Sequence, residues 1–177
     1  MANWVITDPR LGLPFITQIS ASSSPAVPPG TIVKAVDTSG GASTTAYGIS
    51  GEFIYLAGVG STTAGNLVIY DENNNTTTLA PTTVSGANPV AVAMAANAST
   101  ATYAWYQIQG VAAIKKTAVK FNPNVPVYMS ATAGRIMSTI ATAKAVLGAR
   151  SVNAATVASA TSTVNVHINR PHFQLTV

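Results

Sequence analysis

The chain has 177 residues, room for one domain with a core and an extended arm, and only 8% of them are charged, against roughly 25% in a typical soluble domain. It has no cysteine, which excludes disulfides, thiolate metal sites and cysteine nucleophiles together. So little charge suits a subunit packed against neighbours better than a freely soluble enzyme.

The charge is unevenly placed. Residues 1–100 carry Arg10 and Lys34 against Asp8, Asp37, Glu52, Asp71 and Glu72, whereas residues 101–177 carry seven cations and no acidic side chain. Such a cluster can seek an acidic partner surface or nucleic acid, or simply solvate a sheet face. Only Lys115, Lys116 and Lys120 are close in sequence, and no nucleic-acid motif accompanies them, so no nucleic-acid partner is expected. The opening MANWVITDPRLGLPF lacks the basic start and apolar centre of a signal peptide. No apolar run approaches the roughly 18 residues of a membrane span. The expectation is synthesis in the cytoplasm, no membrane partner, and a chain that stays soluble until assembled.

Residues 1–30 do not read as core. Pro9, Pro14, Pro25, Pro28 and Pro29 break helix and central strand alike, and SASSS at 20–24 is linker-like. Yet Trp4, Val5, Ile6, Leu11, Leu13, Phe15, Ile16 and Ile19 are too apolar to remain in solvent. Two readings fit: an extended N-terminal arm that docks on another surface, or a segment folded back on its own domain. Residues 31–177 form the β-rich domain.

A first strand is predicted from Thr31 over Ile32, Val33, Ala35 and Val36. The stretch GEFIYLAGVGSTTAGNLVIYD, 51–71, organises the rest: two apolar strands of a sheet, joined by a small-residue turn from Gly58 to Gly65. A polar loop, DENNNT, follows at 71–76. PVAVAMA at 89–95 alternates, with Val90, Val92 and Met94 on one face and alanines on the other, so the alanine face needs a close neighbour. YAWYQIQGV at 103–111 continues the pattern, and Val125 to Met129 is a short strand in which Pro126 marks an edge or a start. Residues 136–147 admit a short helix, from the spacing of Ile136, Ile140, Ala143 and Leu147, or strands, from the threonines around them. Val164, Val166 and Ile168 alternate with Asn165, His167 and Asn169 in a terminal strand. Strands every eight to twelve residues between Gly, Pro and Asn turns give an all-β fold, a single sandwich or barrel-like domain.

Chemistry is sparse. Gly60 to Gly65 has the glycine spacing of a phosphate loop, but Asn66 stands where the lysine belongs. His167 and His172 have no acidic neighbour in sequence to complete a metal set. Glu52 interrupts an apolar strand start and can pair with a cation of the basic half, or lie exposed at a strand end. Tyr103, Trp105 and Tyr106, with Gln107 and Gln109, could form a sugar-stacking platform or serve as core. No catalytic residue, metal or cofactor is expected, and the chain does not read as an enzyme.

At these residues a family resemblance emerges. The order GTIVKAVD at 30–37, YG at 47–48, GEFIYL at 51–56, PVAVAM at 89–94, WYQIQGV at 105–111 and VY at 127–128 resembles virion structural proteins of tailed bacteriophages, nearest to small head decoration, or cement, proteins. The later part is also similar to the β-tulip decoration domains of phage heads. The resemblance spans roughly residues 30–150 and rests on scaffold motifs, so it carries a fold and a role and no catalytic residues. It implies a jelly-roll or β-tulip type protein on the capsid exterior that bridges major capsid proteins as a homo-oligomer, a trimer before a dimer. Trp4, Phe15 and Ile16 are then the expected anchors on the shell or a sister subunit. Lys115, Lys116 and Lys120 are the expected salt-sensitive contacts to an acidic capsid patch. The alternative is a head-fibre or tail-associated β-domain that adheres to host glycans through the Trp105 region.

Overall fold

The computed structural model describes residues 4–8, 12–21, 25–38, 50–83 and 86–174. Among them there is no helix, and twelve strands share one hydrogen-bonded sheet. In chain order these are β1 (Trp4–Ile6), β2 (Ser20–Ala21), β3 (Ile32–Asp37), β4 (Ser50–Ala57), β5 (Leu67–Asp71), β6 (Thr76–Leu79), β7 (Val90–Ala93), β8 (Thr102–Lys115), β9 (Pro126–Met129), β10 (Ile136–Met137), β11 (Ala145–Ser151) and β12 (Thr163–Phe173). The main path runs β1-β3-β4-β8-β12-β11-β9-β10 through antiparallel pairs, with β5, β6 and β7 as a side branch joined to β8. Lys116, just past β8, makes a parallel bridge to Ile136 of β10. That bridge brings the far end of the path back to β8 and gives this half a barrel-like closure.

The fourteen residues of β8 tie the molecule together. Its first half pairs with β4 and its second half with β12. The switch falls where Ile108 has no opposite number, Gln109 pairing with Glu52 and Gln107 with Phe53, and Gly110 follows at a φ of 103°. This β-bulge re-aims the strand from one core to another. Before it, Ala104, Tyr106 and Ile108 pack with Ile54, Leu56, Val68 and Ala93; after it, Ala112 and Ile114 pack with Val127, Met129, Val164, Val166, Ile168 and Phe173.

Both faces of β4 are buried. Phe53 and Tyr55 join Trp4, Ile16, Val33, Ala35 and Trp105 in a third cluster, while Ile54 and Leu56 face the second. An alternating strand with two apolar faces needs cover on both sides, and the N-terminal segment supplies one of them. β4 and β5 lie in the same sheet without pairing: β4 lies between β3 and β8, and β5 between β6 and β7. The alanine face of β7 finds its close neighbour within the chain, Ala91 and Ala93 packing in the second cluster while Val90 and Val92 pack in the first.

Residues 136–147 take the strand reading, as β10 and the start of β11. Ala143 has a φ of 59°, outside the helical region, and Ile140 is exposed. Pro126 stands at the start of β9, where its missing N–H costs no ladder bond.

Candidate functional site

The described residues of the N-terminal segment, 4–8 and 12–21, join the sheet through β1 and β2 and cover one of its faces. β1 pairs with β3, β2 pairs with β8, and Trp4 meets Phe53 edge-on at 5.0 Å between ring centroids. The indole N–H of Trp105 donates to the Pro14 carbonyl at 3.1 Å, and the Tyr55 hydroxyl lies 2.6 Å from the Ser20 hydroxyl. Two of the three expected anchors are therefore placed differently from an arm docked elsewhere. Trp4 and Ile16 are buried in the chain's own third cluster, where they cover the apolar face formed by Phe53, Tyr55 and Trp105.

Phe15 is the anchor left outside, 77% exposed. A tight turn presents it: the Gln18 N–H donates to the Phe15 carbonyl at 2.9 Å, and the Phe15 N–H donates to the Gln18 side-chain carbonyl at 3.3 Å. This turn points Ile16 inward and Phe15 outward, with Ile19 also exposed nearby in sequence. On the opposite face of the same sheet region, Val5 and Ile32 are exposed beside Lys34.

The three lysines do not form one patch. Lys120 is exposed. Lys115 is half-buried, and its ammonium donates to the Thr63 hydroxyl. Lys116 is 1% exposed and cannot reach an external acidic surface. Its ammonium donates to the carbonyls of Val119 at 2.8 Å, Ser159 at 3.1 Å and Thr117 at 3.4 Å. Burial pushes its pKa below the ordinary lysine value. The phase of β8 foretells this, since Ala112, Ile114 and Lys116 fall on one inward face at period two.

Glu52 pairs within the chain. One carboxylate oxygen lies 2.7 Å from Arg170, and the other 3.9 Å from Lys34. The polar loop after β5 is a hairpin tip: Asp71 accepts from the Asn73 N–H at 2.8 Å and the Asn74 amide at 2.6 Å, and these bonds hold its carboxyl below the usual range. An open cleft of about 460 Å³ runs beside this tip, lined by Asp71, Glu72, Asn73, Thr76, Thr78 and Asn88 among others.

Of the residues expected to form a sugar-stacking platform, Tyr103 is half-buried, with its ring stacked on Tyr55 at 5.9 Å. Trp105 and Tyr106 are fully buried, Trp105 against Tyr55 and Tyr106 as acceptor from the Asn97 amide at 3.0 Å. Burial raises the Tyr106 pKa, so its hydroxyl stays protonated. His167 pairs across to Val111 and Arg150, and His172 bridges to Pro89. Among the described residues no group of three or more His, Asp or Glu side chains is placed to hold a metal ion.

Comparison with protein-family models, curated proteins and solved structures finds no match to this chain.

Proposed function

We propose that the protein is a structural component of a phage virion that binds the outside of the capsid and stabilises the shell by bridging major capsid proteins, acting as a homo-oligomer. The resemblance of residues 30–150 suggests the role. The observation that supports it most is the Phe15 turn: a large apolar side chain presented by a segment that Trp4, Ile16 and the Trp105–Pro14 bond fasten to a rigid sheet. Exposing Phe15 does nothing for the isolated fold, whereas a fixed aromatic on a fixed turn enters a partner's pocket with little loss of conformational entropy. The low charge of the chain and its all-β scaffold fit the same role.

A protein that binds only the expanded shell stabilises that state by mass action. Several protomers joined in one oligomer multiply modest contacts through their shared attachment. Of Lys115, Lys116 and Lys120, Lys120 is the exposed one and would add the salt-sensitive contribution.

The test is to mix purified protein with expanded, undecorated phage heads, sediment them, and count bound copies per shell. Saturation at a copy number compatible with icosahedral symmetry supports the reading. Absence of binding rejects it and leaves the glycan-binding alternative, which would need a platform other than the buried Trp105.

A further inference from the structure

Lys116 is buried, and among the described residues its ammonium forms no ion pair with an acidic side chain. Residues 101–177 contain no acidic side chain, and the nearest cations in sequence, Lys115 and Lys120, have the same sign. Arg135 also approaches, its guanidinium donating to the Lys116 carbonyl at 3.4 Å. An unpaired ammonium out of water is costly unless fixed dipoles replace its hydration. The dipoles here are three backbone carbonyls from two separate segments, those of Thr117 and Val119 in the turn after β8 and that of Ser159 in the loop before β12.

The position matters as much as the ligation. Lys116 lies at the seam of the barrel-like half, bridged to Ile136, with its own N–H donating to the Ser162 carbonyl at 2.9 Å. Thr117 donates to the Ile136 carbonyl at 3.0 Å, and Phe121 and Val157 exchange bonds at 3.0 and 2.9 Å a few residues away. One side chain therefore joins the turn and the loop where the barrel closes.

We propose that Lys116 is an internal cation latch. Its ammonium occupies a carbonyl cage of the kind that otherwise holds a free monovalent cation, and so fastens residues 117–121 and 157–162 over the seam. These two segments open together when the ammonium withdraws. Opening is also the only state in which this amine meets solvent.

Two measurements test the latch. In Lys116→Ala, hydrogen exchange at the amides of Lys116's neighbours Thr117, Phe121 and Val157 speeds up by about tenfold or more, while β4 and the first half of β8 are unchanged. Ammonium or potassium ions then restore protection, and tetramethylammonium, which has no N–H and is too large for the cage, does not. Unchanged exchange, or an equal response to all three ions, overturns the proposal. In the wild-type chain, amine labelling at Lys116 follows the opening rate of the Thr117 amide and lags far behind Lys120. Labelling of Lys116 as fast as Lys120 overturns it even if the variant fails to fold.

Discussion

Glu52 on β4 and Arg170 on β12 meet at 2.7 Å across 118 positions of sequence. Arg170 sits at a φ of 42°, in the left-handed region that side chains other than glycine seldom adopt. There β12 bulges against β11: Leu147 pairs with His172 and Ala149 with Ile168, leaving Asn169, Arg170 and Pro171 opposite Gly148. The ion pair ties this irregular corner to the centre of the sheet. The Arg170 side chain is 59% exposed, so solvent screens much of the attraction. Glu52→Gln should lower stability by about 1 kcal/mol or less, and the difference should shrink in high salt. Urea unfolding at low and high ionic strength measures both effects.

The Trp105–Pro14 bond leads to a sharper effect. Trp105→Phe keeps an aromatic ring but leaves the Pro14 carbonyl unpaired beneath the N-terminal segment, a loss of about 1–3 kcal/mol. The cleavage rate of residues 12–20 by a non-specific protease should rise with it. Deleting residues 1–20 should do more than remove a contact surface, because Phe53, Tyr55 and Trp105 lose their cover. A truncated chain as stable as the parent would show that this cover is dispensable.

Gly110 is the residue on which the path of β8 turns. A Cβ there would lie 2.6 Å from the Ser50 carbonyl oxygen, and the φ of 103° already disfavours any side chain. Gly110→Ala should cost at least about 2 kcal/mol, well above the glycine-to-alanine change at an ordinary strand position. Thermal unfolding of the variant measures it.

Asp71 gives the hairpin tip a pH dependence of known sign. The Asn73 N–H and the Asn74 amide lower its pKa in the folded state from the ordinary 3.8. The folded state then binds fewer protons than the unfolded state between those two values, so the contribution is complete above pH 3.8 and is lost as pH falls through the lower folded value. Asp71→Asn should remove that component of the acid-induced loss of stability. Unfolding curves from pH 6 down to about 2 compare the two chains.

Strict alternation made some strands legible. Val164, Val166 and Ile168 on β12, and the valines of β7, alternate with residues of contrasting size or polarity, and period two is the strongest mark a strand leaves in sequence. β1, β2 and β10 are too short to show a period, and the threonines of β6 carry no apolar contrast. The ambiguity at 136–147 arose because alanine fits helix and strand alike, and Ala143 is settled by its backbone conformation. Trp4 and Ile16 are apolar enough to demand burial, but their destination is a tertiary fact: the face of β4 and β8 that carries Phe53, Tyr55 and Trp105 lacks cover without them. Lys116 misled because lysine is normally solvent-exposed, although its phase on β8 already directed it inward.

The role proposed for the protein depends most directly on Phe15. Expanded, undecorated phage heads should be saturated with wild-type protein or with Phe15→Ser, sedimented to count bound copies, and heated to compare their survival. Wild-type protein should bind at a fixed, symmetry-compatible number and protect the heads, while Phe15→Ser, folded and equally stable, binds at least about tenfold more weakly. Equal binding by the two chains would contradict the Phe15 contact, and no binding by either would contradict the capsid role itself.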